Sequence, residues 1–200
     1  MNRSTIKCVL IAILAVFPSY VMAHSNTSGS GFMAGLLHPV LGLDHLLAML
    51  SVGIISAQFG GRFVWLVPVM FVTFMVIGEL LGANGVGIPY VELGIAISVV
   101  VLGIGISFAH KDKYYTWLVP LTMLFVVIFG SLHGFAHGVE MPNSASPVYY
   151  AFGFIVSTSL IHLVGVLIGF LFSNRESLQR ASTVVGVAVA GAGCYILSAL

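Results

Sequence analysis

Charge is what this sequence is shortest of. Of its 200 residues seven are Lys or Arg and six are Asp or Glu, so charged side chains make up 6%, against about a quarter in a soluble domain. So few ionic groups cannot coat a soluble surface, and a mean hydropathy of +1.11 means that most of the chain partitions into hydrocarbon. A net charge of +1 with 59% hydrophobic residues excludes a disordered chain and a basic face for nucleic acid. Cysteine is scarce too. Cys8 and Cys194 lie in apolar runs at opposite ends, which offers neither a disulfide framework nor a CxxC metal site. A Gly-rich phosphate loop is also missing, so nucleotide hydrolysis by this chain is not expected.

What is present begins with a basic n-region (Arg3, Lys7), an apolar stretch at 8–17 and a turn-prone stretch at 18–23 ending Val21-Met22-Ala23. This pattern fits a secretory signal cleaved after Ala23, and the run is short for a membrane span, which needs about 20 residues. A retained first helix is the alternative. Cleavage would remove Cys8 and start the mature chain at His24, on the far side of the membrane. There a free amine beside an imidazole could chelate a metal, although an incidental terminal residue is the plainer reading.

From residue 31 onward, continuous apolar runs predict an all-α membrane protein, a bundle of six transmembrane helices at about 32–57, 63–82, 88–108, 114–137, 147–173 and 180–199. Continuity favours helices over barrel strands, which would alternate. With the mature N-terminus outside, Arg62, Lys111, Lys113, Arg175 and Arg180 all fall in cytoplasmic loops and the outer loops hold no Lys or Arg. That asymmetry is the positive-inside pattern. Small residues four apart, at Gly78 and Gly82, at Gly130, Gly134 and Gly138, and at Gly165 and Gly169, suit close helix packing. Three helices followed by three of opposite orientation would permit an inverted repeat, but no internal sequence similarity supports one.

The informative residues are the polar ones inside the apolar runs. Span one carries His38, Asp44 and His45; span two Glu79; span three Glu92; span four His133 and His137, with Glu140 just beyond; span five His162. A carboxylate at the bilayer centre costs about 2.5–3.5 kcal/mol on insertion scales, and no Lys or Arg lies within a span to neutralise it. Protons, histidines, water or a bound cation must do so. Counted along the helices at about 1.5 Å per residue, all these groups fall in the outer half of the bilayer. His133 and His137, four apart, share a helix face and can present two imidazoles to one ion. His38 and His45, seven apart, also lie on one face, nearly two turns apart. Asp44 would point elsewhere, unless Pro39 and Gly42 distort the helix, and it could instead fix the tautomer of His45. Each has a plainer reading as well. His162 alone is as easily an interhelical hydrogen-bonder, Glu92 an interfacial acid, and Glu79 half of a buried pair with a histidine. His110 beside Lys111 and Asp112 is solvated.

Two stretches resemble a known family. His38-Pro-Val-Leu-Gly-Leu-Asp44-His45, followed by Leu-Leu-Ala-Met49, resembles the first-helix motif of the HupE/UreJ hydrogenase and urease accessory proteins, and His133-Gly-Phe-Ala-His137-Gly-Val-Glu140 resembles their second motif. One departure is Leu132, where the family motif usually begins with Phe. The resemblance implies nickel uptake, in some members cobalt, across the bacterial inner membrane in support of nickel enzymes. By motif, His38, Asp44, His45, His133, His137 and Glu140 would handle the metal.

The expectation is therefore a Ni²⁺ permease, with Co²⁺ or Zn²⁺ also suited to His and carboxylate ligands. The metal is cargo, no prosthetic group is expected, and the partners are the lipid bilayer and, by resemblance, cytoplasmic nickel-enzyme maturation proteins. Residues His38, Asp44, His45, Glu79, Glu92, His133, His137, Glu140 and His162 form the candidate metal set. A rival from another class is an intramembrane zinc hydrolase with a metal-activated water. It draws on the thin polar lining of the inner half, where Ser107, Thr116 and Ser157 are the few polar groups toward the cytoplasm. A metal sensor or chaperone is a third reading, for which the loops are short.

Overall fold

The computed structural model of the chain describes residues 31–109, 118–143, 145–173 and 176–200. The expected signal at 1–23, His24, His110, Lys111, Lys113, Thr116 and Arg175 lie outside them. The described residues form seven helices and no strand: α1 Gly31–Leu41, α2 Leu43–Phe59, α3 Phe63–Ala83, α4 Val91–Phe108, α5 Leu118–Glu140, α6 Pro147–Ser173 and α7 Glu176–Ser198. Five of them are long and apolar enough to cross a membrane, or six crossings if α1 and α2 count as one broken span. Their outward faces carry exposed Trp65, Leu80, Phe108, Phe152, Leu171 and Val187, as a surface in hydrocarbon does.

Span one departs from its expected form. Instead of one helix over 32–57, the chain breaks at Gly42 and turns by 79°. Pro39 in the last turn of α1 has no N–H to give to Gly35, and Gly42 leaves the helical region at φ −83°, ψ 113°. A shared face for His38 and His45 therefore cannot come from a seven-residue repeat. A second difference is at α5, which runs on to Glu140, so Glu140 is the last residue of a helix rather than part of a loop.

The bundle is assembled from partners distant in sequence. α3 packs on α5, α4 on α7, and both α1 and α2 on α6. Glycines mark each seam. A Cβ on Gly78, Gly82, Gly134 or Gly138 would overlap backbone across the α3/α5 seam, one on Gly53, Gly165 or Gly169 would do so between α2 and α6, and one on Gly103 or Gly186 between α4 and α7. The close approach of small residues thus locks three helix pairs. The opposed positions rise together for α3/α5 and α2/α6, which are parallel, and run oppositely for α4/α7.

These directions divide the molecule into two ends. Arg62, at the start of α3, and Arg180, near the start of α7, share one end. Glu92 in the first turn of α4 and Glu140 at the close of α5 mark the other. At the centre is an apolar core that includes Met49, Val52, Val67, Phe71, Met75, Val99, Ile106 and Phe154.

Candidate metal centre

The break at Gly42 builds the first part of the site. It exposes the N-terminus of α2, where an acidic side chain is favoured by the helix dipole, and Asp44 occupies its first turn. The Asp44 Oδ1 accepts both the backbone N–H of His45 at 2.8 Å and its ring Nδ1–H at 2.8 Å. With the proton fixed on Nδ1, the lone pair of His45 is on Nε2, which is buried and has no hydrogen-bond partner among the described residues. Asp44 thus fixes the tautomer of His45, as an orienting carboxylate does for a histidine ligand.

α5 supplies the second part. His133, His137 and Glu140 follow one another at spacings of four and three, on one face, and both histidines are completely buried. Ser98 on α4 gives its hydroxyl hydrogen to the Ile95 carbonyl at 2.6 Å, so toward His133 Nε2, 3.0 Å away, it can only accept. The proton of His133 is then on Nε2, leaving Nδ1 with a free lone pair and no hydrogen-bond partner among the described residues. Glu140 Oε2 meets His38 Nε2 at 3.0 Å, tying α5 to α1.

Four imidazoles come together between these parts. The ring centre of His137 is 4.5 Å from that of His38 and 4.5 Å from that of His45, and His45 is 4.8 Å from His133. His38 and His45 are 6.2 Å apart across the break. Two imidazoles bound tetrahedrally to one ion stand with centres about 5 Å apart, given a metal–nitrogen distance of about 2.0–2.1 Å, so the spacing suits shared ligation. The rings nevertheless stand edge to face, and among the described residues no three His, Cys, Asp or Glu side chains are posed to hold an ion. The four form a file, His38, His137, His45 and His133, with Glu140 at its head.

The remaining expected residues take other places. Glu92 is exposed, close enough to Glu140, Asp44 and His45 to feel their charge. Glu79 is buried, and among the described residues its Oε2 has no hydrogen-bond partner, the histidines included. His162 stands behind Phe71, whose ring centre is 5.2 Å from it and 5.7 Å from His133.

Several residues that shape the site were absent from the expected set. Ser98 fixes the tautomer of His133, Phe154 lies against His137 at 3.8 Å, and Tyr150, whose hydroxyl has no partner among the described residues, packs near His38 at 6.1 Å. Ser98 had a sequence signal, a hydroxyl in the middle of an apolar run. Phe154 and Tyr150 had none, being aromatic residues in an apolar helix.

The sequence model of the family described as HupE / UreJ protein matches residues 11–196. The chain belongs to the HupE/UreJ family. It is 36% identical to "Protein HupE" of Rhizobium leguminosarum bv. viciae over 197 residues, 98% of this chain and 99% of the relative. No solved structure matches it.

Proposed function

We propose that this HupE/UreJ chain is a permease of the bacterial inner membrane for a divalent transition metal, Ni²⁺ first and Co²⁺ next. The reading rests most on the file of four histidines running into the bundle from Glu140. Membership in a family of accessory or transport proteins, not a known enzyme family, supports it.

In this mechanism the mature N-terminus, after signal cleavage, and the Glu140 end face outward, and the basic loops face the cytoplasm. Glu92 and Glu140 draw a hydrated cation to the mouth. The ion displaces Glu140 from His38, sheds part of its water and passes to His137, His45 and His133, whose lone pairs at His45 Nε2 and His133 Nδ1 are already free. Modest rotations about the side-chain bonds turn the edge-to-face rings toward the ion. Partial ligation at successive weak sites lets the ion leave as well as enter. Asp44 keeps His45 oriented, and Glu79 balances charge or takes up released protons. Cytoplasmic nickel-enzyme maturation proteins would receive the metal.

His133→Ala is the decisive variant. It should abolish uptake of radiolabelled Ni²⁺ at low external metal while leaving the protein inserted in the membrane. Unchanged uptake would overturn the permease reading.

A further inference from the structure

A cavity of about 250 Å³ lies in the seam between α3 and α6. Trp65, Val69 and Leu163 in its walls are exposed, so it opens on the hydrocarbon-facing side of the bundle. The lining is mostly apolar, and its polar groups ask little of an occupant. The Thr73 hydroxyl donates to the Val69 carbonyl at 2.8 Å, and both ring nitrogens of His162 are buried. Such walls penalise an ion, which would lose its water without gaining partners, and suit a hydrocarbon chain.

On α3, Arg62, Trp65, Val69 and Thr73 follow one another at spacings of three, four and four, so they share one face. The eleven steps from Arg62 to Thr73 span about 16 Å of helix, the depth of one leaflet of a hydrocarbon core about 30 Å thick. The groove is thus one leaflet deep and ends at a cation. Arg62 is exposed; its guanidinium carbon stands 5.3 Å from the centre of the Phe63 ring, and no carboxylate pairs with it among the described residues. One turn above it, the indole of Trp65 is suited to the level where headgroups meet hydrocarbon. A helix of a second copy, about 10–12 Å across, is too wide for a space of this volume, whereas a single acyl chain is not.

We propose that this groove holds one anionic phospholipid, its phosphate on Arg62 and one acyl chain lying along Trp65, Val69 and Leu163 toward Ser159. The assignment does not depend on the permease reading. One basic side chain at the headgroup level favours an anionic over a zwitterionic lipid by about fivefold, and the groove confines that preference to one place on the bundle.

The test uses the full chain in lipid vesicles. Trp65 and Trp117 are its two tryptophans, so Trp117→Phe leaves Trp65 to report on the groove. Phosphatidylglycerol with brominated chains, mixed into phosphatidylcholine, should half-quench Trp65 at a mole fraction at least threefold below that needed of brominated phosphatidylcholine, and Arg62→Gln should abolish the difference. Equal quenching by the two lipids in the parent chain, or a preference that survives Arg62→Gln, overturns the proposal. So does a Trp65 that neither lipid quenches, the outcome if a second copy covers this face. Native mass spectrometry of the wild-type chain gives a separate readout. It should show one phosphatidylglycerol retained per protein, and Ser159→Phe, which fills the upper groove and leaves Arg62 in place, should lower that retention at least threefold. Unchanged retention in Ser159→Phe would mean a headgroup held without the groove, and also overturns it.

Discussion

At the scale of single residues, the centre is governed by which nitrogen carries the proton. Asp44→Asn leaves an amide that can present its N–H₂ to His45 as readily as its oxygen, so the tautomer is no longer fixed. Loss of such an orienting carboxylate typically costs 10–100-fold in metal affinity, and the expected outcome is a rise of about that size in the Ni²⁺ concentration for half-maximal uptake. Ser98→Ala removes the acceptor of the His133 Nε2–H and buries that N–H unpaired, a penalty of about 1–3 kcal/mol. It should lower both thermal stability and uptake, whereas Ser98→Thr, which keeps the hydroxyl, should restore uptake in part. The histidines and acids were legible in the sequence because a polar group in hydrocarbon needs a reason to be there. Of the partners that orient them, Asp44 could be read from its place beside His45, but Ser98, though a hydroxyl in an apolar run, could not be assigned to His133, 35 positions away.

At the scale of elements, the break between α1 and α2 is the feature that the apolar pattern concealed. Hydrophobic runs report which residues avoid water, not whether the axis bends, so 32–57 reads as one span although Pro39 and Gly42 lie within it. A Cβ on Gly42 would come within 3.1 Å of Asp44 Oδ1 and 3.2 Å of His45 Nδ1, tight enough to push this pair aside. Gly42→Ala is therefore expected to weaken Ni²⁺ uptake severalfold with normal amounts of protein in the membrane, measured by uptake against immunoblot. The glycine seams were easier to anticipate, since small residues four apart already suggested close packing, but the pairing of particular helices required the fold. Gly134→Ala drives a methyl into the Met75 carbonyl, and overpacking of this kind costs about 1–3 kcal/mol. Its melting temperature in detergent should fall clearly. Gly191→Ala, with open space around it, should leave melting unchanged.

At the scale of the whole molecule, most of the charge among the described residues is sorted along the bundle axis, Glu176 at the start of α7 being the acid at the basic end. Arg62 and Arg180 occupy one end, and Asp44, Glu79, Glu92 and Glu140 lie in the opposite half. If the basic end faces the cytoplasm, Gly85→Cys, in the turn after α3, should be labelled by an impermeant thiol reagent in spheroplasts. Gly61→Cys, in the turn before α3, should be labelled only after the membrane is opened. The reverse pattern would invert the proposed direction of entry. The division of charge was readable from the order of spans alone, because each crossing reverses direction.

The helix pairing has a further consequence for how the chain is made. α1 and α2 find their partner only when α6 arrives, α3 waits for α5, and α4 waits for the last helix, α7. During synthesis the early helices must therefore remain in the bilayer with their glycine grooves unfilled, and a ribosome that stalls before α7 leaves a chain with an open seam for a membrane protease to grip. His38 and His45 emerge well before His133 and His137, so the four-histidine file does not exist until α5 is in place. On the permease reading, a nascent chain would not hold the metal at a half-built file, and the capacity to bind it would arrive only with assembly.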